Sequence, residues 1–129
     1  MDEKERHEKG MARRRKVLGA AWVDRANARK NSFNEEFQDL ITRYAWGEIW
    51  TRTHYDERTR RVLVIGTMIA LGRWDEFRLH VRAALAEGGF SEADIKEIIM
   101  QQAIYCGVPA ANHAFKEAGE IIAELAKAK

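Results

Sequence analysis

The sequence has few of the residues that cross-link or interrupt a chain. Its 129 residues include one cysteine, Cys106, and one proline, Pro109. A lone cysteine excludes an intramolecular disulfide, a cysteine-rich metal site and a dithiol mechanism. A chain that needs no disulfide is typical of a reducing compartment, so we expect a cytoplasmic protein.

Long apolar runs and a strong charge of one sign are lacking as well. The longest apolar stretch, residues 62–71, is about half of a membrane span, and the charged amino terminus is unlike a secretory signal. The net charge is +2, and the basic run at 13–16 follows acidic residues with no aromatic residue interleaved. These features favour a solvated helix surface, so we expect neither a membrane nor a nucleic-acid partner.

The apolar residues that are present recur with the period of a helix. In no segment do apolar and polar residues alternate with a period of two, as in a strand. We therefore predict an all-α fold, with residues 1–129 forming one compact multi-helix domain. The predicted helices span 3–18, 22–29, 34–50, the segment ending at Gly72, 74–87, 91–105 and 109–126. Gly19 and Gly107 are the predicted stops, and Ser91 with Asp94 fits a capping box.

Two of these helices carry predictions about burial. In the helix at 34–50, the spacing predicts one buried stripe, made of Phe37, Leu40, Ile41, Tyr44 and Ala45. The segment 62–71 is apolar all round, which indicates a central core helix that also contacts a neighbouring subunit.

The predicted helix at 74–87 carries the most informative polar side chains. Arg73, Glu76 and His80 fall side by side along one margin of its apolar arc, where a pocket wall would lie. We expect Glu76 to hold His80 in one tautomer and to raise its proton affinity, as suits a general acid. On spacing alone, an exposed Glu–His pair one turn apart is the more common occurrence.

A second group of candidates lies in RYAWGEIWTR, residues 43–52. Trp46 and Trp50 are one turn apart, and two tryptophans on one ridge usually pack in a core or an interface. The functional interpretation is an aromatic wall beside Arg43, which would bind an anionic substrate, with Glu48 close by.

The third group lies in YCGVPAANH, residues 105–113. The turn at 107–109 directs the free amides of a helix N-terminus outward, which suits a carboxylate or an oxyanion. Tyr105 and Asn112 flank this turn, and Asn112 and His113 could add donors. An ordinary helix–helix turn explains the pattern equally well, because proline is common in a first turn.

Taken together, the segments FNEEFQDLITRYAWGEIWTR, EFRLH and AIYCGVPAANHAF resemble the carboxymuconolactone decarboxylase family. The likeness runs in order from about residue 5 to residue 122. The same superfamily contains alkylhydroperoxidase-D-like proteins, which use a CxxC pair ahead of a histidine. Here Glu76 stands where a redox cysteine would be expected ahead of His80, so the chain departs from the peroxidase pattern and matches the decarboxylase one.

The resemblance implies an alkylhydroperoxidase-D-like all-α fold, a homo-oligomer expected to be a hexamer, and no metal or cofactor. The implied reaction converts 4-carboxymuconolactone, a dicarboxylate lactone, to 3-oxoadipate enol-lactone and carbon dioxide in the protocatechuate branch of aromatic catabolism. The substrate is its own electron sink, which makes a cofactor unnecessary.

His80 and Glu76 are then the expected catalytic pair. The family pattern places a histidine nearer position 116, where this chain has Lys116, so His80 rather than His113 is the expected catalytic histidine. The expected substrate-binding residues are Arg73, Arg43, Trp46, Glu48, Tyr105 and Asn112.

Two other classes of function stay open on the sequence. One is a superfamily member without catalysis, a helical oligomer that binds an acidic small molecule. The other is a thiol-dependent peroxidase, which the lone Cys106 disfavours.

Overall fold

The computed structural model describes residues 1–128, and α-helices make up most of this part of the chain. Seven α-helices and one π-helical segment occur in it, with no strand, so the all-α prediction is confirmed. None of the helices in this range is both long and apolar enough to cross a membrane. The contacts form two compact units, one comprising Met1–Glu57 and the other beginning at Arg58. The prediction of one domain over the whole chain stays a prediction.

The first unit contains α1 (Glu3–Leu18), α2 (Ala20–Ala28), α3 (Glu35–Ile41) and the π-helical segment Thr42–Ile49. Helix α1 has the predicted bounds. The Asp2 carboxylate accepts a hydrogen bond from the backbone N–H of Glu5 at 2.8 Å, and the chain leaves the helix at Gly19, whose φ is 93°. A side-chain cap and a glycine with positive φ are the local signals that end a helix at these positions.

Helix α1 crosses the π-helical segment at backbone contact. A Cβ atom on Gly10 would lie 1.9 Å from the carbonyl oxygen of Thr42, and one on Gly47 would lie 2.3 Å from that of Arg6. Real Cβ atoms do not approach oxygen this closely, so both positions require glycine. These two glycines set how near the helices come.

This crossing overturns two predictions for residues 34–50. The second half is a π-helix, in which the backbone N–H of Trp50 donates to the carbonyl of Ala45 at 3.0 Å, five residues back. The predicted buried stripe is wrong: its members Phe37, Leu40, Tyr44 and Ala45 are exposed, and Ile41 is only half-buried. The residues buried instead are Thr42, Trp46 and Gly47. At the closest point of the crossing, next to the backbones of Thr42 and Arg6, only glycine fits.

The second unit contains α4 (Glu57–Leu71) from its second residue onward, and α5 (Trp74–Ala86), α6 (Glu92–Cys106) and α7 (Val108–Lys127). The predicted capping box is confirmed, with Ser91 and Asp94 each accepting the other's backbone N–H. Pro109 lies in the first turn of α7, as predicted, after Gly107 with φ at 99°. Residues from all four helices form the core of this unit, including Ile65, Ile69, Phe77, Val81, Ile95, Ile99 and Ile121.

Helix α4 is apolar on more of its surface than the described chain buries. Ile65, Gly66 and Ile69 are buried, whereas Leu63 and Leu71 are exposed. The core role predicted for this helix is therefore confirmed. Its contact with a neighbouring subunit stays a prediction.

Candidate active site

His80 lies on the buried face of α5, in the second unit. Its exposed fraction is 6%, and Phe77 and Val81, on either side of it in sequence, are fully buried. The helical spacing placed this side chain at the margin of the apolar arc. The structure buries it further than a margin position requires, and a second large polar side chain, Arg61 on α4, is buried as well.

Glu76 lies one turn before His80, as predicted, but the two side chains are not hydrogen-bonded. Oε2 of Glu76 is 3.7 Å from Nε2 of His80, and 57% of the Glu76 side chain is exposed. At this distance the carboxylate acts on the imidazole through space rather than by fixing its tautomer. Water around an exposed carboxylate also weakens that attraction.

The protonation of His80 is the reverse of the prediction. Burial lowers the pKa of His80 from 6.5 to about 4, and the positive charge of Arg61 lowers it too. Removing an imidazolium from water is costly, and a like charge nearby adds to the cost. His80 is therefore neutral near pH 7 and can donate one ring N–H and accept at the other nitrogen.

Arg61 is the residue that the sequence reasoning missed. Its exposed fraction is 1%, which is exceptional for arginine. The guanidinium packs against Gly88, where a Cβ atom would lie 2.6 Å from Nε of Arg61. A signal was present in the sequence: Arg61, Ile65 and Ile69 follow one another at intervals of four, which places the arginine on the core face of α4.

The other predicted site residues of the second unit lie toward solvent. Arg73 directly precedes α5, and its backbone carbonyl accepts from the N–H of Phe77 at 2.9 Å. Tyr105, near the end of α6, is 79% exposed, and Asn112 is exposed in the first turns of α7. Their exposure leaves them accessible to a ligand, and their substrate-binding roles stay predictions.

The predicted site residues of the first unit already have partners within that unit. Nε of Arg43 is 3.0 Å from the Glu3 carboxylate, and Nε of Arg6 donates to Glu48 at 2.9 Å. These ion pairs join α1 to the π-helical segment. Arg43 and Glu48 are therefore less available to a substrate than two unpaired charges would be.

Trp46 is buried and stacks on Trp50, with ring centroids 5.0 Å apart and an angle of 26° between the planes. This arrangement is the packing role that two tryptophans on one ridge usually have.

His113 has a packing role between α5 and α7. Its ring stacks on Trp74 at 4.1 Å between centroids, and Nε2 lies 3.2 Å from the Glu117 carboxylate. Glu117 also accepts from Arg78 on α5 at 2.5 Å. The two helices are thus held together by a stack and an ion-pair network at their surface.

A groove of about 640 Å³ lies between α4 and α6, lined in part by Val62, Leu63, Gly66, Leu71, Ile98 and Gln102. No predicted site residue lines it, so the groove and the surroundings of His80 are different places in the second unit. Among residues 1–128, no three His, Cys, Asp or Glu side chains are grouped so as to hold a metal ion.

Residues 35–120 match the model of the Carboxymuconolactone decarboxylase family. The chain belongs to this family. The resemblance seen in the sequence is thereby confirmed, together with the alkylhydroperoxidase-D-like type of all-α fold. Every predicted site residue lies inside the matched range.

Three relatives whose names state an activity have sequences similar to that of this chain. The 4-carboxymuconolactone decarboxylase of Acinetobacter baylyi is 38% identical over 125 residues, which cover 97% of this chain and 92% of the relative. A second 4-carboxymuconolactone decarboxylase, from Pseudomonas putida, is 56% identical over 48 residues, 37% of this chain and 100% of the relative. The nitrosuccinic acid decarboxylase of Metarhizium robertsii is 36% identical over 102 residues, 79% of this chain and 71% of the relative.

Proposed function

We propose that this chain is a carboxy-lyase that converts 4-carboxymuconolactone to 3-oxoadipate enol-lactone and carbon dioxide. The observation that carries the proposal is the 38% identity to a relative of that name over 97% of the chain. The reaction belongs to the protocatechuate branch of aromatic catabolism, and the cytoplasm is its proposed location.

The chemistry of the substrate limits what the protein must supply. When the bond to the departing carboxylate breaks, its electron pair moves through the ring alkene onto the lactone carbonyl oxygen. This gives carbon dioxide and a furan-like dienolate, and a proton then adds to a ring carbon to give the enol-lactone. The protein must therefore bind a dianion, stabilise the developing oxyanion and admit one proton.

We propose that His80 stabilises the oxyanion by donating a hydrogen bond to it. A neutral imidazole donates its N–H to an oxygen that gains negative charge, and it does so more strongly in a buried setting of low dielectric. A neutral histidine in this role stabilises charge without having to act as an imidazolium acid. The pKa of about 4 therefore favours the hydrogen-bonding role over the proton-donating role.

Glu76 and Arg73 occupy the solvent side of the same helix. Glu76 is exposed and lies 3.7 Å from His80, so we assign it to carry the proton from water to the ring carbon. Arg73 stands just before the first turn of α5, and a guanidinium there is placed to bind the carboxylate that the substrate retains. Asn112 and the amides that begin α7 form the further anion site.

Nitrosuccinic acid is a second candidate substrate, which the Metarhizium relative favours at 36% identity over 79% of this chain. Nitrosuccinic acid, like the lactone, is a dicarboxylic acid with a group able to accept an electron pair. A nitro group beside the departing carboxylate accepts that pair as a nitronate. Both reactions then require the same stabilisation from the site, a hydrogen bond to an oxygen that becomes negative.

The test is an assay of carbon dioxide release from each acid, with a chelator present and no cofactor added. We expect release from carboxymuconolactone and a loss of most turnover, more than about 30-fold, in His80→Gln. His113→Gln is the matched control, since it makes the same exchange at a histidine that packs against Trp74. Turnover within about threefold of the unaltered protein in His80→Gln would refute the assignment of His80.

Two further measurements separate the competing functions. No carbon dioxide from either acid, with calorimetric binding of carboxymuconolactone, would support a ligand-binding protein without catalysis. Peroxide consumption that disappears in Cys106→Ser would support a thiol peroxidase instead.

We further propose that the working form is a homo-oligomer, a hexamer in the family pattern. The support is the apolar surface that the single chain leaves exposed on α4 and α6, which includes Leu63, Leu71, Met100 and Ile104.

A further inference from the structure

Helix α3, with the turn before it and the π-helical segment after it, carries a row of apolar side chains that the single chain leaves exposed. Phe33, Phe37, Leu40 and Tyr44 follow one another at intervals of four, three and four residues, which places them on one side of the helix. Phe33 is 97% exposed, and the other three are between 42% and 60% exposed. Single exposed apolar residues are ordinary, but a row of large ones is typical of a binding surface. We call these four residues the α3 stripe.

The groove between α4 and α6 is the concave apolar surface of the second unit. The two helices run parallel, because Arg58 pairs with Asp94 at 2.8 Å, and Gln102 donates to the Gly66 carbonyl at 3.1 Å, eight residues further along each helix. Gly66 adds no side chain to the groove, and most of the remaining wall is apolar. The result is a straight, open channel between two helices.

The polar groups of this groove already have partners, which indicates an apolar occupant. Arg58, the cation of the wall, pairs with Asp94 and lies over the ring of Phe90 at 4.3 Å. The amide of Gln102 is bonded to the backbone of α4, and Glu97 adds a negative charge to the wall. A dianionic substrate would be repelled by the carboxylate and would meet an arginine that is already paired. An uncharged side chain has neither disadvantage.

The α3 stripe and the groove match in length and in the area that they can bury. The groove wall from Arg58 to Leu71 is about 20 Å long, and the stripe is about 16 Å long, at ~1.5 Å per helical residue. At roughly 200 Å² for a whole large side chain, the exposed part of the stripe is about 500 Å². With an equal area from the groove, one contact buries about 1,000 Å², which is the size that a specific interface requires.

We propose that the α3 stripe of one copy of this chain docks in the α4–α6 groove of a second copy. A ridge of large side chains fills the space between two helices, as an amphipathic helix with anchors three and four residues apart does in an apolar groove. A groove set against the same groove of a second copy would leave that space empty. The contact joins two different surfaces, and every copy of the chain carries both of them.

The test begins with one charge placed in each surface, Phe37→Glu in the stripe and Leu63→Glu in the groove. Both residues are more than half exposed, so the helices should stay intact, which circular dichroism checks. We expect light scattering to show a lower mass for each variant, with the dissociation constant raised at least about 30-fold, because a carboxylate is costly to bury in an apolar contact. Tyr55→Glu is the matched control. Tyr55 is a similarly exposed aromatic residue outside both surfaces, and this variant should keep the mass of the unaltered protein.

Mixing the two variants is the decisive step. The Phe37→Glu protein keeps an intact groove and the Leu63→Glu protein keeps an intact stripe, so one unaltered contact can form between them. We expect the equimolar mixture to exceed either variant in mass, and native mass spectrometry to find both variants in the larger complexes. A mixture that behaves as the sum of its components would overturn the proposal, because the stripe and the groove would then bind something other than each other. An unchanged mass in either variant alone would overturn it as well.

The contact depends on the homo-oligomer in the proposed function and not on the proposed reaction. An unaltered protein that is monomeric but releases carbon dioxide would overturn the contact and leave the reaction standing. An unaltered protein that releases no carbon dioxide, with mass restored in the mixture of variants, would support the contact and refute the reaction.

Discussion

Burial determines which of the ionisable residues are chemically distinctive. His80 and Glu76 share one helix and lie 3.7 Å apart, yet His80 is almost inaccessible and Glu76 is mostly exposed. The histidine therefore has a depressed pKa despite its acidic neighbour. An imidazole that remains neutral well below pH 7 suits the stabilisation of an oxyanion better than proton donation.

The depressed pKa of His80 predicts a loss of stability in mild acid. Between the unfolded value of 6.5 and the folded value of about 4, the unfolded chain binds a proton that the folded chain does not. The free energy of unfolding should therefore fall as the pH drops through this window, by about 1.6 kcal/mol between pH 6.5 and pH 5. Urea unfolding at both pH values measures it.

His80→Gln is the reference for this prediction, since glutamine does not titrate. We expect its stability to fall less over the same interval, and the difference between the two proteins isolates the histidine. Equal losses in both proteins would show that His80 titrates normally when folded.

At the scale of helices, the crossing of α1 with the π-helical segment is set by two glycines. Gly10 and Gly47 bring the backbones together, and the Arg6–Glu48 and Arg43–Glu3 ion pairs flank the contact. In residues 42–49, Thr42, Trp46 and Gly47 are buried, rather than Tyr44 and Ala45, which the α-helical period selects. The contact between helices outweighs the local apolar pattern here.

Gly47→Ala tests this crossing. The new Cβ would lie 2.3 Å from the carbonyl oxygen of Arg6, so α1 must move, and we expect a loss of about 1–3 kcal/mol of stability. Gly119→Ala, within α7, is the control, because nothing lies within 4 Å of its Cβ. That control should gain roughly 0.5–1 kcal/mol from helix propensity. Denaturation followed by circular dichroism compares them, and similar effects at both sites would contradict a tight crossing.

At the scale of the whole molecule, the exposed apolar residues are the main unexplained feature of a single chain. On α4 and α6 they include Leu63, Leu71, Met100 and Ile104, several of them more than half exposed. Apolar surface of this kind is typical of an interface between subunits.

We predict that Leu63→Glu or Ile104→Glu lowers the oligomeric mass measured by light scattering, because a charge buried in an apolar interface is costly. Lys116→Glu, which changes an exposed residue of α7, should leave the mass unchanged. If all three proteins have the mass of the unaltered one, these faces of α4 and α6 are not the interface.

The amino-acid sequence by itself determined the features that depend on near neighbours. The bounds of α1, the Ser91–Asp94 capping box and the Gly107–Pro109 turn all follow from side chains within a few residues of the helix ends. Glu76 and His80 are likewise neighbours because they lie one helical turn apart. The family resemblance rests on local segments that occur in the expected order.

Only the tertiary structure decided the rest, because those features arise between helices. The burial of Arg61 depends on space left by Gly88, and the low pKa of His80 depends on both the surrounding core and that arginine. The requirement for glycine at position 47 depends on how closely α1 approaches the π-helical segment. Desolvation and close packing are non-local quantities, so helical spacing could place these side chains on a face but could not state what that face would meet.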